Sequence, residues 1–129
     1  MFSKLLEMAE EARKNAYAPY SNFTVGAALL AKNGKIYTGC NIENSSYSPT
    51  NCAERTAFFK AISEGEREFE AIAVVGAKEG EKGEFCPPCG VCRQVMLEFC
   101  NHDFKIVLKD DNEQKVFSLV DIIPVSFKL

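Results

Sequence analysis

The sequence lacks several features that would point to common classes of protein. It has no apolar run approaching the ~20 residues that cross a bilayer, and its first segment carries glutamates where a signal peptide would be continuously apolar. It has no basic excess either, because 15 Lys and Arg residues against 18 Asp and Glu residues give a net charge of −3. We therefore expect a cytoplasmic protein that binds neither a membrane nor a nucleic acid polymer.

Internal repeats, low-complexity tracts and linkers are also absent. The 129 residues are 47% hydrophobic, which is enough to build a core of useful size. We predict a single domain over residues 1–129. There is one histidine, His102, and no ligand motif accompanies it, so we expect no metal role for it.

Hydrophobic periodicity predicts three helices and five strands. The predicted helices cover residues 3–16, a segment from Asn51 to about Gly65, and a segment that begins near Cys89. The predicted strands are 23–31, 35–40, 71–77, 104–109 and 115–120, and the first two flank an Asn33-Gly34 turn. Helices interleaved with strands in this order indicate an α/β fold, with a central sheet and helices on its faces.

Two of these helices begin with polar residues and continue with apolar ones. Asn51 is the predicted N-cap of the second helix, and Glu54, three residues later, would complete a near capping box. The predicted apolar stripe of the third helix is Val91, Val95, Met96 and Phe99. We expect such apolar faces to fix the helix starts against the sheet.

The six cysteines suggest metal binding or catalysis rather than disulfides, because we expect a cytosolic chain with an adequate core. Cys89 and Cys92 are spaced C-x-x-C at a helix start, so both sulfurs can reach one ion. Cys52 begins another helix, and three thiolates converge if the two helix starts meet. Zinc with three protein ligands keeps an open position and is catalytic, whereas Cys86 as a fourth ligand would make the site structural.

Two charged residues lie close to Cys52 in the sequence. Arg55 and the positive ends of two helices would offset the excess negative charge of three thiolates on Zn²⁺. From spacing alone, Arg55 is as consistent with a surface arginine on an exposed helix turn as with a residue beside the zinc site. Glu54 could simply complement the helix dipole, but it also stands where a carboxylate can carry a proton for a metal-activated water without being a ligand.

A C-x-E segment followed by P-C-x-x-C is the signature of the zinc deaminases, and here it reads Cys52-Ala53-Glu54 and Pro88-Cys89-Gly90-Val91-Cys92. Together with "YAPYSNFTVGAALL", "GCNIENSSYSPTNCAERTAFFKA" and "PCGVCRQV", it makes the chain resemble the small homotetrameric cytidine deaminases from about Ala16 onward. This resemblance implies a three-layer α/β/α fold with a central mixed five-stranded sheet. It also implies hydrolytic deamination of cytidine and deoxycytidine to uridine and deoxyuridine, with release of ammonia, as in pyrimidine salvage.

The resemblance implies roles for the residues of the metal site. One Zn²⁺ per subunit would be held by Cys52, Cys89 and Cys92. Glu54 matches the general acid/base, which moves protons between the attacking water, the ring nitrogen and the departing ammonia. Arg55 matches an arginine that donates hydrogen bonds to the ligand thiolates.

Further matches concern the substrate and the assembly, a homotetramer. The substrate residues would be Phe23 and the backbone of Ala53 at the base, with Asn41 and Glu43 at the ribose hydroxyls. Tyr47 matches a position at the subunit interface near the site, and Phe127 matches an aromatic residue that enters a neighbour's active site. Alternatively, Phe127 packs against its own core. A carboxylate such as Glu43 near the ribose would repel a phosphate, which favours a free nucleoside over a nucleotide.

Four alternative functions stay open at this point. A deaminase of an aminopyrimidine antibiotic such as blasticidin would share the metal site and differ around the sugar. A structural zinc module would use Cys52, Cys86, Cys89 and Cys92 and would not need Glu54. A thiol–disulfide oxidoreductase is disfavoured because its C-x-x-C would follow the first strand of a βαβ unit. An RNA-editing relative is disfavoured by the acidic charge balance.

Overall fold

The computed structural model describes all 129 residues of the chain. Its helices are α1 (Phe2–Ala12), α2 (Ala53–Ser63), α3 (Gly90–Phe99) and α4 (Leu119–Ile122), with a 3₁₀ turn at Arg13–Asn15. Its strands are β1 (Phe23–Ala31), β2 (Ile36–Cys40), β3 (Phe69–Lys78), β4 (Lys105–Asp110) and β5 (Glu113–Ser118). None of the helices combines the length and the apolar character required to cross a lipid bilayer.

The five strands form one sheet in the order β2-β1-β3-β4-β5. The β1 strand pairs antiparallel with both β2 and β3, and β4 pairs antiparallel with β5, whereas β3 and β4 are parallel. A parallel pair needs a crossover connection, and α3 lies in that connection. The predicted mixed five-stranded sheet is confirmed.

Apolar residues cover both faces of the sheet. On one face, an 18-residue cluster includes Phe58 of α2 and Met96 of α3. On the other face, a cluster of 8 residues includes Leu5 and Ala9 of α1. The central strand β3 is buried from residue 71 to residue 77, as expected of a strand that is packed on both sides. The structure therefore has the predicted α/β/α layers.

The start of α2 lies unusually close to β2, and a glycine makes this possible. A Cβ atom at Gly39 would lie 2.5 Å from the carbonyl oxygen of Ala53 and 2.6 Å from the backbone nitrogen of Ala57. Such distances are far inside van der Waals contact, so no larger residue fits without moving the helix. The position of the first turn of α2 therefore depends on Gly39.

Residues 13–15 form a 3₁₀ turn instead of continuing α1 to residue 16 as predicted. The side chain of Arg13 is only 6% exposed, and its guanidinium holds this turn on the sheet. Its Nε donates to the carbonyl of Thr24 at 3.0 Å and its Nη2 to that of Ala77 at 3.2 Å. These bonds join the turn to β1 and β3.

The predicted strand 115–120 begins and ends two residues too late. The turn after β4 is only Asp111 and Asn112, with Asp111 at φ 60°, so pairing already begins at Glu113. The strand ends at Ser118, because Ser118 and Asp121 form a capping box that starts α4. This fourth helix is absent from the sequence-based prediction.

Two details of the predicted helices are wrong. Asn51 is not the N-cap of α2: Cys52 is, and the Nδ2 of Asn51 instead donates to the Oγ1 of Thr56 at 3.0 Å. The backbone of Asn51 pairs with Ile42, which holds it away from the helix. In α3, Val91 is 57% exposed and does not belong to the buried stripe, which runs through Cys92, Met96 and Leu97.

Candidate active site

The sulfurs of Cys52, Cys89 and Cys92 lie within 4.8 Å of one another. Cys52 and Cys89 are the N-caps of α2 and α3, and Cys92 is the third residue of α3. The Cys52 and Cys89 sulfurs are 3.8 Å apart. Tetrahedral zinc with Zn–S bonds of about 2.3 Å places two ligand sulfurs about 3.8 Å apart, so the three thiols fit one zinc ion.

The two helix N-termini give this cluster a positive electrostatic environment. Each N-terminus carries roughly half a positive charge, from backbone N–H groups that have no partner in the helix. One such group, the N–H of Cys92, points at the Sγ of Cys89 at 3.5 Å. The backbone therefore favours thiolates at this point, and thiolates are the form that binds a metal.

Cys52 and Cys92 have pKa values that are shifted in opposite directions. The pKa of Cys52 is lowered to about 5, chiefly because it accepts a hydrogen bond from Cys92 and also because Arg55 lies beside it. The pKa of Cys92 is raised, first by that same hydrogen bond and then by burial. Cys52 is therefore the thiolate of this pair, and Cys92 is the donor.

Arg55 lies on the sulfur cluster and is not a free surface residue. Its Nη2 donates a hydrogen bond to the Sγ of Cys52 at 3.3 Å, and its side chain is partly buried. Because the arginine is three residues beyond Cys52 on the first turn of α2, helical geometry brings both side chains to one face. Spacing alone could not decide this point.

Glu54 is a buried carboxyl group beside the cluster, with only 4% of the residue exposed. The pKa of Glu54 is raised to about 7, first by burial and less strongly by the nearby Cys52 charge, while backbone hydrogen bonding opposes the shift. A carboxyl group with a pKa near neutrality can both take up and give back a proton.

Phe23 and Cys86 meet at a glycine on β3. A Cβ atom at Gly76 would lie 2.8 Å from the Cys86 sulfur and 2.9 Å from the Cε2 of Phe23. The thiol of Cys86 is thus outside the three-sulfur group. Its pKa is raised to about 11 by burial, with smaller contributions from the Glu54 and Cys52 charges. The structure supports the hypothesis that Cys86 is a loop residue near the site, not a fourth ligand.

The side chains of Asn41 and Glu43 are bonded to the backbone around the start of β1. The Oδ1 of Asn41 accepts from the Val25 N–H at 2.8 Å, and its Nδ2 donates to the Phe23 carbonyl at 2.9 Å. Glu43 accepts from the N–H groups of Tyr20 and Ser21 at 2.9 and 3.2 Å.

These hydrogen bonds of Asn41 and Glu43 to the backbone were not predicted from the sequence, because they depend on the loop 41–51 folding back on β1. A hydrogen bond from the Ser21 hydroxyl lowers the pKa of Glu43, so the carboxylate is ionised at neutral pH.

Two aromatic residues project from the chain. Tyr47 is 80% exposed and lines a cavity of about 280 Å³ together with Tyr20, Ser21 and Glu43. Phe127 is 73% exposed, and its carbonyl accepts a hydrogen bond from the Nε2 of Gln94 at 3.1 Å. Phe127 therefore does not pack into the core of its own chain, which was the alternative.

Ala53, by contrast, is fully buried at the start of α2.

The C-x-E and P-C-x-x-C segments meet in space, and this arrangement defines the zinc-binding deaminases as a class. A family model described as "Cytidine and deoxycytidylate deaminase zinc-binding region" matches residues 2–108. Since the match covers most of the chain, the chain belongs to this family of cytidine and deoxycytidylate deaminases.

Individual relatives agree with the family assignment. The cytidine deaminase of Sporosarcina psychrophila is 54% identical to this chain, over 96% of this chain and 89% of the relative. That of Halalkalibacterium halodurans is 49% identical, over 95% of this chain and 91% of the relative. A crystal structure of cytidine deaminase from Burkholderia pseudomallei superposes with a TM-score of 0.89 at 48% identity, covering 98% of this chain and 99% of that one.

Proposed function

We propose that this chain, as one domain, catalyses the hydrolytic deamination of cytidine and deoxycytidine to uridine and deoxyuridine in cytoplasmic pyrimidine salvage. The observation that carries the proposal is the buried carboxyl group of Glu54 next to three converging cysteine sulfurs. A structural zinc module has no use for a buried carboxyl group at that point, and burying one is costly. The relatives' activity supports the same conclusion.

Cys52, Cys89 and Cys92 would hold one zinc ion per subunit. When bound, zinc acidifies a water molecule and so supplies the nucleophile for hydrolysis. Arg55 is a fixed positive charge beside the Cys52 thiolate, and it offsets part of the negative charge of the three sulfurs.

Glu54 is the general acid/base. It takes the two protons of the attacking water in turn, and it gives the first to the ring nitrogen next to the reacting carbon and the second to the departing amine. The carbon–nitrogen bond breaks, the carbon keeps the oxygen from water, and ammonia leaves. The raised pKa of the buried carboxyl suits both directions of this transfer at neutral pH.

The nucleoside would lie between the sulfur cluster and the start of β1. Phe23 is available to contact the base, because it remains 39% exposed, and the Ala53 backbone begins α2 beside the cluster. Asn41 and Glu43 use some of their hydrogen-bonding capacity on the backbone of the chain. A carboxylate has about four acceptor positions and an amide has two donors and two acceptor positions, so both side chains can also bind ribose hydroxyls.

The functional assembly would be a homotetramer in which Tyr47 and Phe127 contribute across subunits. Their exposure supports this proposal, because it leaves both side chains free to contact a neighbouring subunit. Sedimentation of the wild type and of a truncation ending at residue 126 tests it. A tetramer whose truncated form loses activity supports the proposal, and an active monomer contradicts it.

The direct test of the function is zinc quantification on the purified protein, combined with an ultraviolet assay of cytidine, deoxycytidine and an aminopyrimidine antibiotic of the blasticidin type. We expect about one zinc per chain and loss of both nucleosides. A zinc-loaded protein that leaves both nucleosides unchanged would refute the proposal, and activity on the antibiotic alone would favour the alternative deaminase.

A further inference from the structure

Arg93 bonds two distant parts of the chain from one guanidinium group. It follows Cys92 on α3 and is partly buried. Its Nε donates to the carbonyl of Pro88 at 2.7 Å, and its Nη1 donates to the carbonyl of Ile122, also at 2.7 Å. Both distances lie at the short end of the range for N–H···O bonds, as expected when the donor is charged.

The bond to Pro88 fixes the segment that carries Cys89. Pro88 is the residue before Cys89, and the backbone N–H of Arg93 also donates to the Cys89 carbonyl at 3.0 Å. Two successive carbonyls are thus held by one residue, one on each side of the Cα of Cys89. The direction of the Cys89 side chain toward the other sulfurs follows from this backbone position.

The bond to Ile122 fixes the beginning of the C-terminal segment, residues 123–129. Ile122 is the last residue of α4, and the segment that follows contains no helix or strand. The neighbouring Gln94 donates to the carbonyl of Phe127 within that segment at 3.1 Å. Two consecutive side chains of α3 therefore hold the last residue of α4 and the C-terminal segment that follows it.

We propose that Arg93 is a positioning residue that makes zinc retention at Cys89 and the order of the C-terminal segment depend on each other. The inference rests on the proposed zinc site. A planar guanidinium presents several donors in a fixed fork, whereas a lysine ammonium is a single point. The two bonds use different nitrogens of the guanidinium, Nε for Pro88 and Nη1 for Ile122, and a lysine has only one.

The test compares Arg93→Lys and Arg93→Ala with Arg67→Lys in the full chain. Arg67 is a matched control, because it also donates to two carbonyls, those of Ile62 and Glu66, but it lies beyond the C-terminal end of α2. Two quantities are measured on zinc-loaded protein: the rate of zinc transfer to a chelator, and amide hydrogen exchange. Neither needs a nucleoside, so failure of the inference can be told apart from failure of the proposed deaminase activity.

We expect Arg93→Lys to speed zinc transfer about tenfold, as loss of a group supporting a metal ligand commonly does. Exchange should rise in residues 86–92 and 122–129 and stay unchanged in the second half of α3. Arg67→Lys should change neither quantity. Unchanged zinc transfer in Arg93→Lys, or a rise in exchange spread evenly over α3, would overturn the inference. If Arg93→Ala does not fold, the lysine variant still decides the matter.

Discussion

The Nη2 of Arg55 donates a hydrogen bond to the Sγ of Cys52 at 3.3 Å. This contact bears on a problem that any site with three thiolates has. Three thiolates around Zn²⁺ carry an excess negative charge, which works against acidifying a water. The arginine and the two helix N-termini are positive groups at the same place, so they offset the excess.

Replacing Arg55 should therefore weaken both the metal site and the chemistry. We expect Arg55→Gln to reduce zinc affinity or kcat by about tenfold or more, since partners of metal ligands commonly contribute that much. Competition with a chelator and the ultraviolet assay measure the two effects. Arg67→Gln, which removes an exposed arginine beyond the C-terminal end of α2, should behave as wild type. Equal behaviour of the two variants would show that Arg55 does not act on the site.

The stabilisation of the fold by zinc should require Cys89 and should not require Cys100. A ligand that binds only the folded state stabilises it by about 4 kcal/mol at 1,000 times its Kd. Added zinc should thus raise the thermal midpoint of the metal-free protein and of Cys100→Ser. Cys100 is half-buried at the end of α3 and lies outside the sulfur cluster. In Cys89→Ser the increase should largely disappear, and a full increase there would contradict the assigned ligand set.

Glu43 should make the enzyme prefer nucleosides over nucleotides. Its carboxylate is ionised, because hydrogen bonds from Ser21 and Tyr20 lower its pKa. A phosphate near the ribose would be repelled, so we expect kcat/KM for cytidine monophosphate to be at least about tenfold below that for cytidine. Glu43→Gln should reduce the difference in kcat/KM between cytidine and cytidine monophosphate. Comparable kcat/KM for the two substrates in the wild type would rule out this role.

Gly39→Ala should destabilise the protein, because the added methyl group would overlap the backbone of α2 at Ala53 and Ala57. Overpacking of this kind typically costs about 1–3 kcal/mol. Gly90→Ala is the matched control, because no atom lies within 4 Å of its added Cβ. Urea denaturation at one fixed protein concentration measures the free energy of unfolding of both variants. If the two variants unfold at the same urea concentration, the close approach of α2 to β2 is not as described.

The sequence predicted those parts of the fold that depend on local pattern. The β1 strand, 23–31, agrees with its observed bounds, because its residues alternate little and are flanked by clear turn signals. The cluster of Cys52, Cys89 and Cys92 was predicted through the resemblance to the cytidine deaminases, because helix spacing alone brings only Cys89 and Cys92 together.

The errors arose where distant contacts decide the outcome. Asparagine is a residue type that favours the N-cap position, but the backbone of Asn51 pairs with Ile42. No local sequence pattern indicates this pairing. The α4 helix is four residues long and follows directly on β5, so its signal merges with that of the strand. Its Ser118–Asp121 capping box was the one local signal that could have revealed it.

Deamination should depend on Glu54 as a proton carrier, and Glu54→Gln tests this central claim most directly. Glutamine has almost the same volume as glutamate, so the substitution removes only the ability to ionise. The residue at this position is 4% exposed. Glu64→Gln, at the exposed end of the same helix, is the control. We predict that Glu54→Gln keeps its fold and about one zinc per chain but loses cytidine deamination by at least about a hundredfold, the lower range for general acid/base catalysis. Undiminished release of ammonia from cytidine by a zinc-loaded Glu54→Gln protein would contradict the account.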